Sequence, residues 1–191
     1  MPRSYELKRR AERQDETRQR IVDATIELHQ TIGAAATTVT DIAERAGVGR
    51  VTVYRHFPDE AALSSACSGQ YFARNPFPDL EAWAAIEDPA DRAEVALREA
   101  YAYHRANEAM FSMALGEARA HPSMRPYHDY WNSAADVLMP GRPERGARRE
   151  VLRAAAGLAV SFDAWRALTR EQGLSDEQAV RLMLELLGFS R

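Results

Sequence analysis

The sequence predicts an all-α fold, with a small N-terminal helical domain followed by a larger C-terminal one. The chain is rich in Ala, Leu, Arg and Glu, which favour helices, and no stretch alternates β-branched with polar residues as a half-buried strand does. Apolar residues recur instead at three- and four-residue steps, the period of a helix with one buried face. With 191 residues, 46% hydrophobic and 28% charged, the chain is long enough for two folded units.

The first helix is predicted from about Thr17, with apolar residues at helical spacing from Ile21 to Ile32 and an end near Gly33. The segment before it is strongly basic and contains Arg3, Lys8, Arg9, Arg10 and Arg13. From the sequence alone this segment is either a solvated terminus or an arm that contacts a partner.

Three further helices follow closely. Thr38 or Thr37 can cap a second helix whose apolar positions share one face, and Gly47 ends it. A third helix is predicted over 50–56. The acidic pair after Pro58 opens a fourth helix that continues to Arg74.

The segment 75–78 contains two prolines and predicts a boundary. We therefore divide the chain into an N-terminal domain over 1–58, a connecting helix over 59–75 and a C-terminal helical domain over 76–191. The helices predicted in that last domain are 80–86, one that starts at Asp88-Pro89, 108–120, 125–138, a long helix over 145–169, and one capped by Ser175 with Gln178.

The stretch VTDIAERAGVGRVTVYRHF has the layout of a helix-turn-helix. Gly47 permits the left-handed turn, and Val53 with Phe57, one turn apart, can anchor the second helix from behind. The outward side chains are then those of Arg50, Val51, Thr52, Tyr54, Arg55 and His56, which can contact bases and phosphates in a major groove of double-stranded DNA. The alternative interpretation is a plain helical hairpin with a solvated face.

At these residues the chain resembles the TetR family, whose DNA-binding domain ends in a tyrosine, any residue, histidine and phenylalanine, matched here by 54–57. The resemblance covers about the first third of the chain. It implies that Thr38 and Thr40 contact phosphate while the third helix faces the groove. Two positions depart from the family pattern: Gly49 replaces a serine, and Glu60 replaces a lysine that would clamp phosphate. Glu60 is therefore expected to weaken DNA binding.

The formal net charge of −3 implies that DNA is held by a local surface rather than by bulk positive charge. One short recognition helix reads few base pairs, so a palindromic operator and a homodimer are expected. The last two long helices carry small and apolar residues suited to a dimer interface, although such residues also fill interiors. The predicted interface comprises Leu152, Ala155, Ala159, Ala179, Leu182, Met183 and Leu186.

The C-terminal domain also contains many aromatic residues, which suit either a pocket for a small apolar or aromatic molecule or ordinary helix packing. The pocket residues we predict are Trp83, Tyr101, His104, Phe111, Tyr127, Trp131, Phe162 and Trp165. The family resemblance implies that such an effector releases a repressor from DNA.

Other classes of function find little support in the sequence. The chain contains no nucleophile-elbow, phosphate-loop or zincin motif, so we predict neither an enzyme nor a cofactor or metal site. Without a long apolar run, and with a single cysteine, Cys67, it is expected to be cytoplasmic and not membrane-bound. The remaining alternative is a helical protein-interaction module without DNA binding or catalysis.

Overall fold

The computed structural model describes residues 2–117 and 119–189, and within them every side chain except those of residues 2–4, 7 and 117. The side chain of Arg3 therefore lies outside the described residues. So do residues 1, 118, 190 and 191, which the predicted domain ranges include. Over the described residues the chain is helical without a strand, so the all-α prediction is confirmed. None of the described helices combines the length and the apolar character needed to cross a bilayer.

The α-helices, in chain order, are α1 (Pro2–Thr31), α2 (Val39–Ala46), α3 (Arg50–His56), α4 (Glu60–Arg74), α5 (Leu80–Ala84), α6 (Pro89–Ala106), α7 (Glu108–Glu117), α8 (Arg125–Val137), α9 (Gly146–Ala159), α10 (Phe162–Arg166) and α11 (Asp176–Leu186). A 3₁₀ turn at Pro122–Met124 precedes α8, and a π-helical turn at Ala167–Glu171 follows α10.

The chain divides into two compact units. The first comprises Met1–Pro76 together with Ala109–Met124, and the second comprises Phe77–Glu108 together with Arg125–Arg191. The proline-rich segment thus coincides with a division between units, but the sequence-based division did not assign 109–124 to the N-terminal part.

The core of the first unit forms where α1, α2, α3 and α4 meet. Ile21 and Val22 of α1 are fully buried, and Ile42 of α2 and Val53 of α3 are buried as well. Helix α1 packs against α2 and α4, and α2 packs against α3. Side-chain hydrogen bonds also join α1 to α4, because Asp23 Oδ1 accepts from three side chains. These are Gln19 Nε2 at 3.1 Å, Gln70 Nε2 at 2.6 Å and Arg74 Nη1 at 2.6 Å.

The second unit is built on α6, whose inner face carries fully buried small and aromatic residues such as Ala96 and Tyr101. Arg92 lies near the start of this helix and is only 5% exposed. Its guanidinium donates to the carbonyl oxygens of Ile86, Glu87 and Pro140, which lie in two loops. The five N–H donors of an arginine suit this role, since each buried carbonyl needs a partner.

Helix starts follow the capping residues seen in the sequence. Thr38 caps α2, Asp59 caps α4 and Asp88 caps α6, each with a side-chain oxygen that accepts from a backbone N–H of the first turn. Ser175 and Gln178 form the expected capping box at α11. The first helix, however, begins at Pro2 rather than near Thr17, so the basic segment is helical.

The single long helix predicted over 145–169 is wrong. Helix α9 ends at Ala159, and Ser161 starts α10 by accepting a hydrogen bond from the N–H of Ala164 at 3.2 Å. The break exposes backbone carbonyls that α6 satisfies: the hydroxyl of Tyr101 donates to the Ala159 oxygen at 3.1 Å, and His104 bonds the Val160 oxygen at 2.9 Å. The break thus has a local cap, Ser161, which sequence reasoning missed, and additional hydrogen bonds from a distant helix.

Candidate nucleic-acid interface

The turn between α2 and α3 is set by Gly47. Its φ of 64° lies in the left-handed region that L side chains rarely adopt, and its N–H bonds back to the carbonyls of Ala43 and Glu44. The next N–H, of Val48, also bonds to Ala43 at 2.9 Å. The turn therefore closes α2 firmly and fixes the direction in which α3 starts.

Helix α3 divides into a buried and an exposed face. Val53 is 1% exposed and Phe57, just after the helix, is 3% exposed, and both pack into the core of the first unit. On the opposite side Val51 is 81% exposed and Tyr54 is 55% exposed. Val51 and Tyr54, three residues apart, therefore form an exposed apolar part of the α3 surface.

The eight residues predicted to contact DNA lie on this helix pair. Exposed side chains are those of Thr38, Thr40, Arg50, Val51, Tyr54 and Arg55, and half-buried ones are those of Thr52 and His56. Their contacts with DNA stay a prediction.

The N-terminus of α2 already uses the hydroxyl of Thr38. That hydroxyl donates to Asp41 Oδ2 at 2.6 Å and accepts from the Asp41 N–H at 3.2 Å, while the Thr38 N–H donates to the same carboxylate at 2.8 Å. These bonds lower the pKa of Asp41, which keeps the carboxylate charged. Thr40, the second residue of α2, is exposed and has no role in the capping box.

A basic groove about 300 Å³ in volume runs between α1 and α3. It is lined by Arg10, Arg13, Gln14, Thr17, Arg55 and His56. The four residues of α1 follow the spacing i, i+3, i+4, i+7, which places them on one helical face. Sequence reasoning noticed the positive charge here but missed this face, because it did not extend the first helix to the N-terminus.

His56 lies at the inner edge of this groove. Partial burial lowers the pKa of its imidazole, and the positive charges of Arg55 and Arg18 lower it further. The ring is therefore neutral at neutral pH, and its Nε2 atom is buried without a hydrogen-bond partner in the described part of the chain. The positive charge of the groove thus comes from the arginines.

Acidic residues mark the start of α4. Asp59 caps the helix by accepting from the N–H of Ala62 at 2.7 Å, and Glu60 is exposed in the first turn. Both favour the helix, since a helix N-terminus carries partial positive charge. Glu60 nevertheless stands where the resemblance leads one to expect a lysine, so it contributes negative charge to this side of the domain.

The predicted pocket residues are all buried. Seven lie in the second unit, whereas Phe111 lies in the first, where its ring contacts that of Tyr71 with 6.3 Å between centroids. In the second unit the rings pack against one another. The centroid of the His104 ring lies 4.6 Å from that of Trp131, 5.7 Å from that of Phe162 and 6.0 Å from that of Trp165. The pocket assignment stays a prediction.

The predicted dimer interface is partly used inside the second unit. Ala159, Ala179 and Met183 are at most 7% exposed, which leaves them little surface for a partner. The small residues of α9 serve packing against α8, because the position of a Cβ on Gly157 lies 3.6 Å from the Cβ of Ala135. Leu152, Ala155 and Leu182 are half-buried.

An exposed apolar stripe remains on α9 and α11. Leu186 is 67% exposed, Leu158 is 61% exposed and Val151, which sequence reasoning did not select, is 70% exposed. Val151, Ala155 and Leu158 follow helical spacing, so they share one face of α9.

Comparison with known proteins gives a consistent result for the N-terminal part. Residues 21–67 match the sequence model of a family described as bacterial regulatory proteins, tetR family. The matched stretch runs from within α1, through α2 and α3, into α4. A search of curated protein sequences found no significant match.

Solved structures share the fold over almost the whole chain. A TetR-like transcriptional regulator from Rhodococcus sp. RHA1 has a TM-score of 0.65 at 14% identity, covering 90% of this chain and 93% of that one. NalD, the secondary repressor of the MexAB-OprM multidrug efflux pump in Pseudomonas aeruginosa, has a TM-score of 0.62 at 18% identity, with 93% and 96% covered. The regulator FadR from Bacillus subtilis, solved with stearoyl-CoA, has a TM-score of 0.57 at 15% identity, with 89% and 95% covered.

Proposed function

We propose that this chain is a DNA-binding transcriptional regulator of the TetR type, whose family model it matches over residues 21–67, and that it acts as a homodimeric repressor. A small apolar or aromatic ligand releases it from a palindromic operator. The observation that carries the proposal is the exposed face of α3, where Val51 and Tyr54 stand in solvent while Val53 and Phe57 hold the helix from behind. A face of this kind fits the major groove of B-form DNA.

Base recognition is assigned to the start and middle of α3. Arg50 is exposed in the first turn, where a guanidinium can bond both acceptors of a guanine edge. Val51 and Thr52 offer methyl groups suited to the methyl of thymine. Specific readout at a half-site therefore rests on these three side chains.

Phosphate contacts are assigned to the groove between α1 and α3. Arg10, Arg13 and Arg55 surround it with positive charge, and the groove is open to solvent. A DNA strand beside α3 would pass over this surface, so the arginines of α1 supply the phosphate contacts that Glu60 does not. Thr40 is the second hydroxyl at the N-terminus of α2 and can donate to the same strand.

Dimerisation is assigned to the apolar stripe of α9 and α11. Val151, Leu158 and Leu186 are each more than three-fifths exposed in a single chain, and half-buried Leu152, Ala155 and Leu182 extend the surface. Burial of this stripe in a symmetric partner removes large apolar side chains from water. The same symmetry presents two copies of α3 to two half-sites.

The effector is assigned to the aromatic cluster of the second unit, defined by His104, Trp131, Phe162 and Trp165 with the rings around them. FadR of Bacillus subtilis was solved with stearoyl-CoA, which illustrates effector binding by a protein of this fold. In this chain the aromatic character of the cluster favours an apolar or aromatic ligand.

Selection of bound duplexes from a random pool tests DNA binding and symmetry together. We expect a palindrome with half-sites about one helical turn apart, and binding that weakens steeply with salt. Arg13→Ala and Arg55→Ala should each weaken binding to every duplex and reduce the salt slope by about 0.9. The matched control is Arg98→Ala, on an exposed arginine of α6 in the second unit. If no duplex is bound at low salt, the chain is instead a protein-interaction module.

Sedimentation equilibrium tests the dimer. Leu158→Arg should convert the dimer to a monomer, because it places a charge in the centre of the apolar stripe. The control is Ile32→Arg, at a 45% exposed apolar residue next to the end of α1, which should leave the mass unchanged. A dimer that withstands Leu158→Arg would place the interface elsewhere.

A further inference from the structure

The three tryptophans of the chain differ in what their indole N–H groups meet. Trp83 Nε1 donates to Glu99 Oε2 at 2.7 Å, and Trp165 Nε1 donates to Asp176 Oδ1 at 3.0 Å. Trp131 is also buried, at 7% exposure, yet its Nε1 has no hydrogen-bond partner among the described residues. A buried donor without a partner is destabilising, so it calls for an explanation.

A second unsatisfied atom lies in the ring beside it. The Nε2 atom of His104 lies 2.9 Å from the Val160 oxygen, and because a carbonyl only accepts, Nε2 carries the proton. Burial lowers the pKa of His104 to about 4, so the ring is neutral at neutral pH and Nδ1 presents a lone pair. That Nδ1 is buried and has no partner in the described part of the chain.

The two atoms are complementary and belong to neighbouring rings. The rings of His104 and Trp131 have centroids 4.6 Å apart with 42° between their planes, and neither unsatisfied nitrogen bonds to the other. One nitrogen donates and the other accepts, which is the pair of groups that a single hydroxyl satisfies, since a hydroxyl oxygen accepts while its proton is donated.

The surroundings of this pair are aromatic. His104 has the rings of Phe162 and Trp165 at 5.7 and 6.0 Å, and Trp131 has that of Tyr103 at 5.9 Å. Flat apolar walls suit the ring of an aromatic guest. These rings contact one another in the ligand-free chain, so a guest enters only with a change of conformation, which is what an effector requires.

We propose that His104 and Trp131 form a hydroxyl-binding pair and that the effector of this chain is an aromatic compound with a hydroxyl group, which accepts from Trp131 and donates to His104. This proposal rests on the proposed function only where it calls the ligand an effector. Binding itself does not depend on DNA.

Three probes of similar size separate the two hydrogen bonds. Phenol can donate and accept, anisole can only accept, and toluene can do neither. We expect calorimetry on the full chain to give phenol a Kd at least about tenfold lower than that of toluene, with anisole between them, since each bond contributes about 1 kcal/mol. Equal affinity for phenol and toluene, or no binding of any probe, would overturn the proposal.

A variant and its control assign the preference to Trp131. Trp131→Phe keeps a ring and removes the N–H, so it should reduce the preference for phenol over toluene several-fold. Trp83→Phe, which removes an indole N–H bonded to Glu99, should leave the preference unchanged. A preference that survives Trp131→Phe, or that falls as much in Trp83→Phe, contradicts the assignment.

A measurement on the unchanged chain guards against a variant that does not fold. The ¹⁵N chemical shift of His104 Nδ1 should move when phenol is added and stay constant with toluene, because only phenol donates to that atom. If phenol leaves the ¹⁵N chemical shift of His104 Nδ1 unchanged, the proposed hydroxyl-binding pair is wrong. Operator binding, measured separately without a ligand, then distinguishes the two proposals. A chain that binds no operator but still prefers phenol to toluene would refute the proposed regulator and leave the hydroxyl-binding pair standing.

Discussion

His104 Nε2 bonds the carbonyl oxygen of Val160 at 2.9 Å, at the break between α9 and α10. The same break is held by the hydroxyl of Tyr101, which donates to the oxygen of Ala159 at 3.1 Å. Both side chains come from α6 and are fully buried, so one helix holds the break through two specific polar contacts. Each contact leads to a measurable expectation.

Stability should fall as the solution becomes mildly acidic. Burial lowers the pKa of His104 from 6.5 to about 4, so between those values the unfolded chain takes up a proton that the folded chain does not. The free energy of unfolding is therefore highest above pH 6.5 and decreases as the pH drops toward 4, by at most about 3 kcal/mol. Urea denaturation at pH 7 and pH 5 measures it. His104→Gln keeps a donor for Val160 without titrating, so an unchanged pH dependence in that variant would contradict the assignment.

Removal of one hydroxyl from Tyr101 should destabilise the fold. Tyr101→Phe leaves the buried carbonyl of Ala159 without its partner, and we expect the free energy of unfolding to fall by about 1–2 kcal/mol. Denaturant unfolding is the measurement. Tyr5→Phe deletes the same atom from a side chain that is 64% exposed, and it should change stability by less than about 0.5 kcal/mol. Equal effects of the two substitutions would argue against a role for the bond.

Two glycines should respond to alanine with opposite signs. Gly47→Ala forces a Cβ into a left-handed conformation with φ of 64° and should destabilise the first unit by about 1–2 kcal/mol. Gly69→Ala, inside α4 with nothing within 4 Å of the added carbon, should stabilise it by about 0.5–1 kcal/mol. Thermal unfolding of both variants gives the comparison. A destabilising Gly69→Ala would show that space rather than backbone conformation governs these positions.

Operator binding should improve when the acidic residue at the start of α4 becomes basic. Glu60→Lys replaces a repulsion of phosphate by an attraction, so affinity should rise and the salt slope should steepen by about 0.9. Glu81→Lys is the matched control, since it also lies in the first turn of a helix capped by an aspartate but belongs to the second unit. Titration of a labelled operator measures both. Unchanged or weaker binding by Glu60→Lys would refute the cost assigned to Glu60.

Local signals in the sequence predicted much of the fold. Asp59 at α4, Asp88 at α6 and the pair Ser175 and Gln178 at α11 each act through contacts within four residues, so their effect is visible in the chain itself. The same is true of Gly47, whose conformation is a property of one residue. Helix α3 was predicted over the correct residues for this reason.

What the sequence did not predict depends on residues far apart in the chain. The carbonyl of Ala159 at the break is bonded by the hydroxyl of Tyr101, 58 residues away, and the buried state of Ala179 and Met183 depends on the helices packed around them. Residues 109–124 group with the first unit through contacts that no local pattern shows. The basic face of α1 was missed because its polar residues gave no apolar repeat to extend.

Asp23 places one further condition on the first unit. A single carboxylate oxygen is the shared acceptor for Gln70 and Arg74, both on α4, so α4 cannot slide along α1 without giving up both attachments together. These attachments of α4 therefore depend on one side chain, and Asp23→Ala would remove both at once.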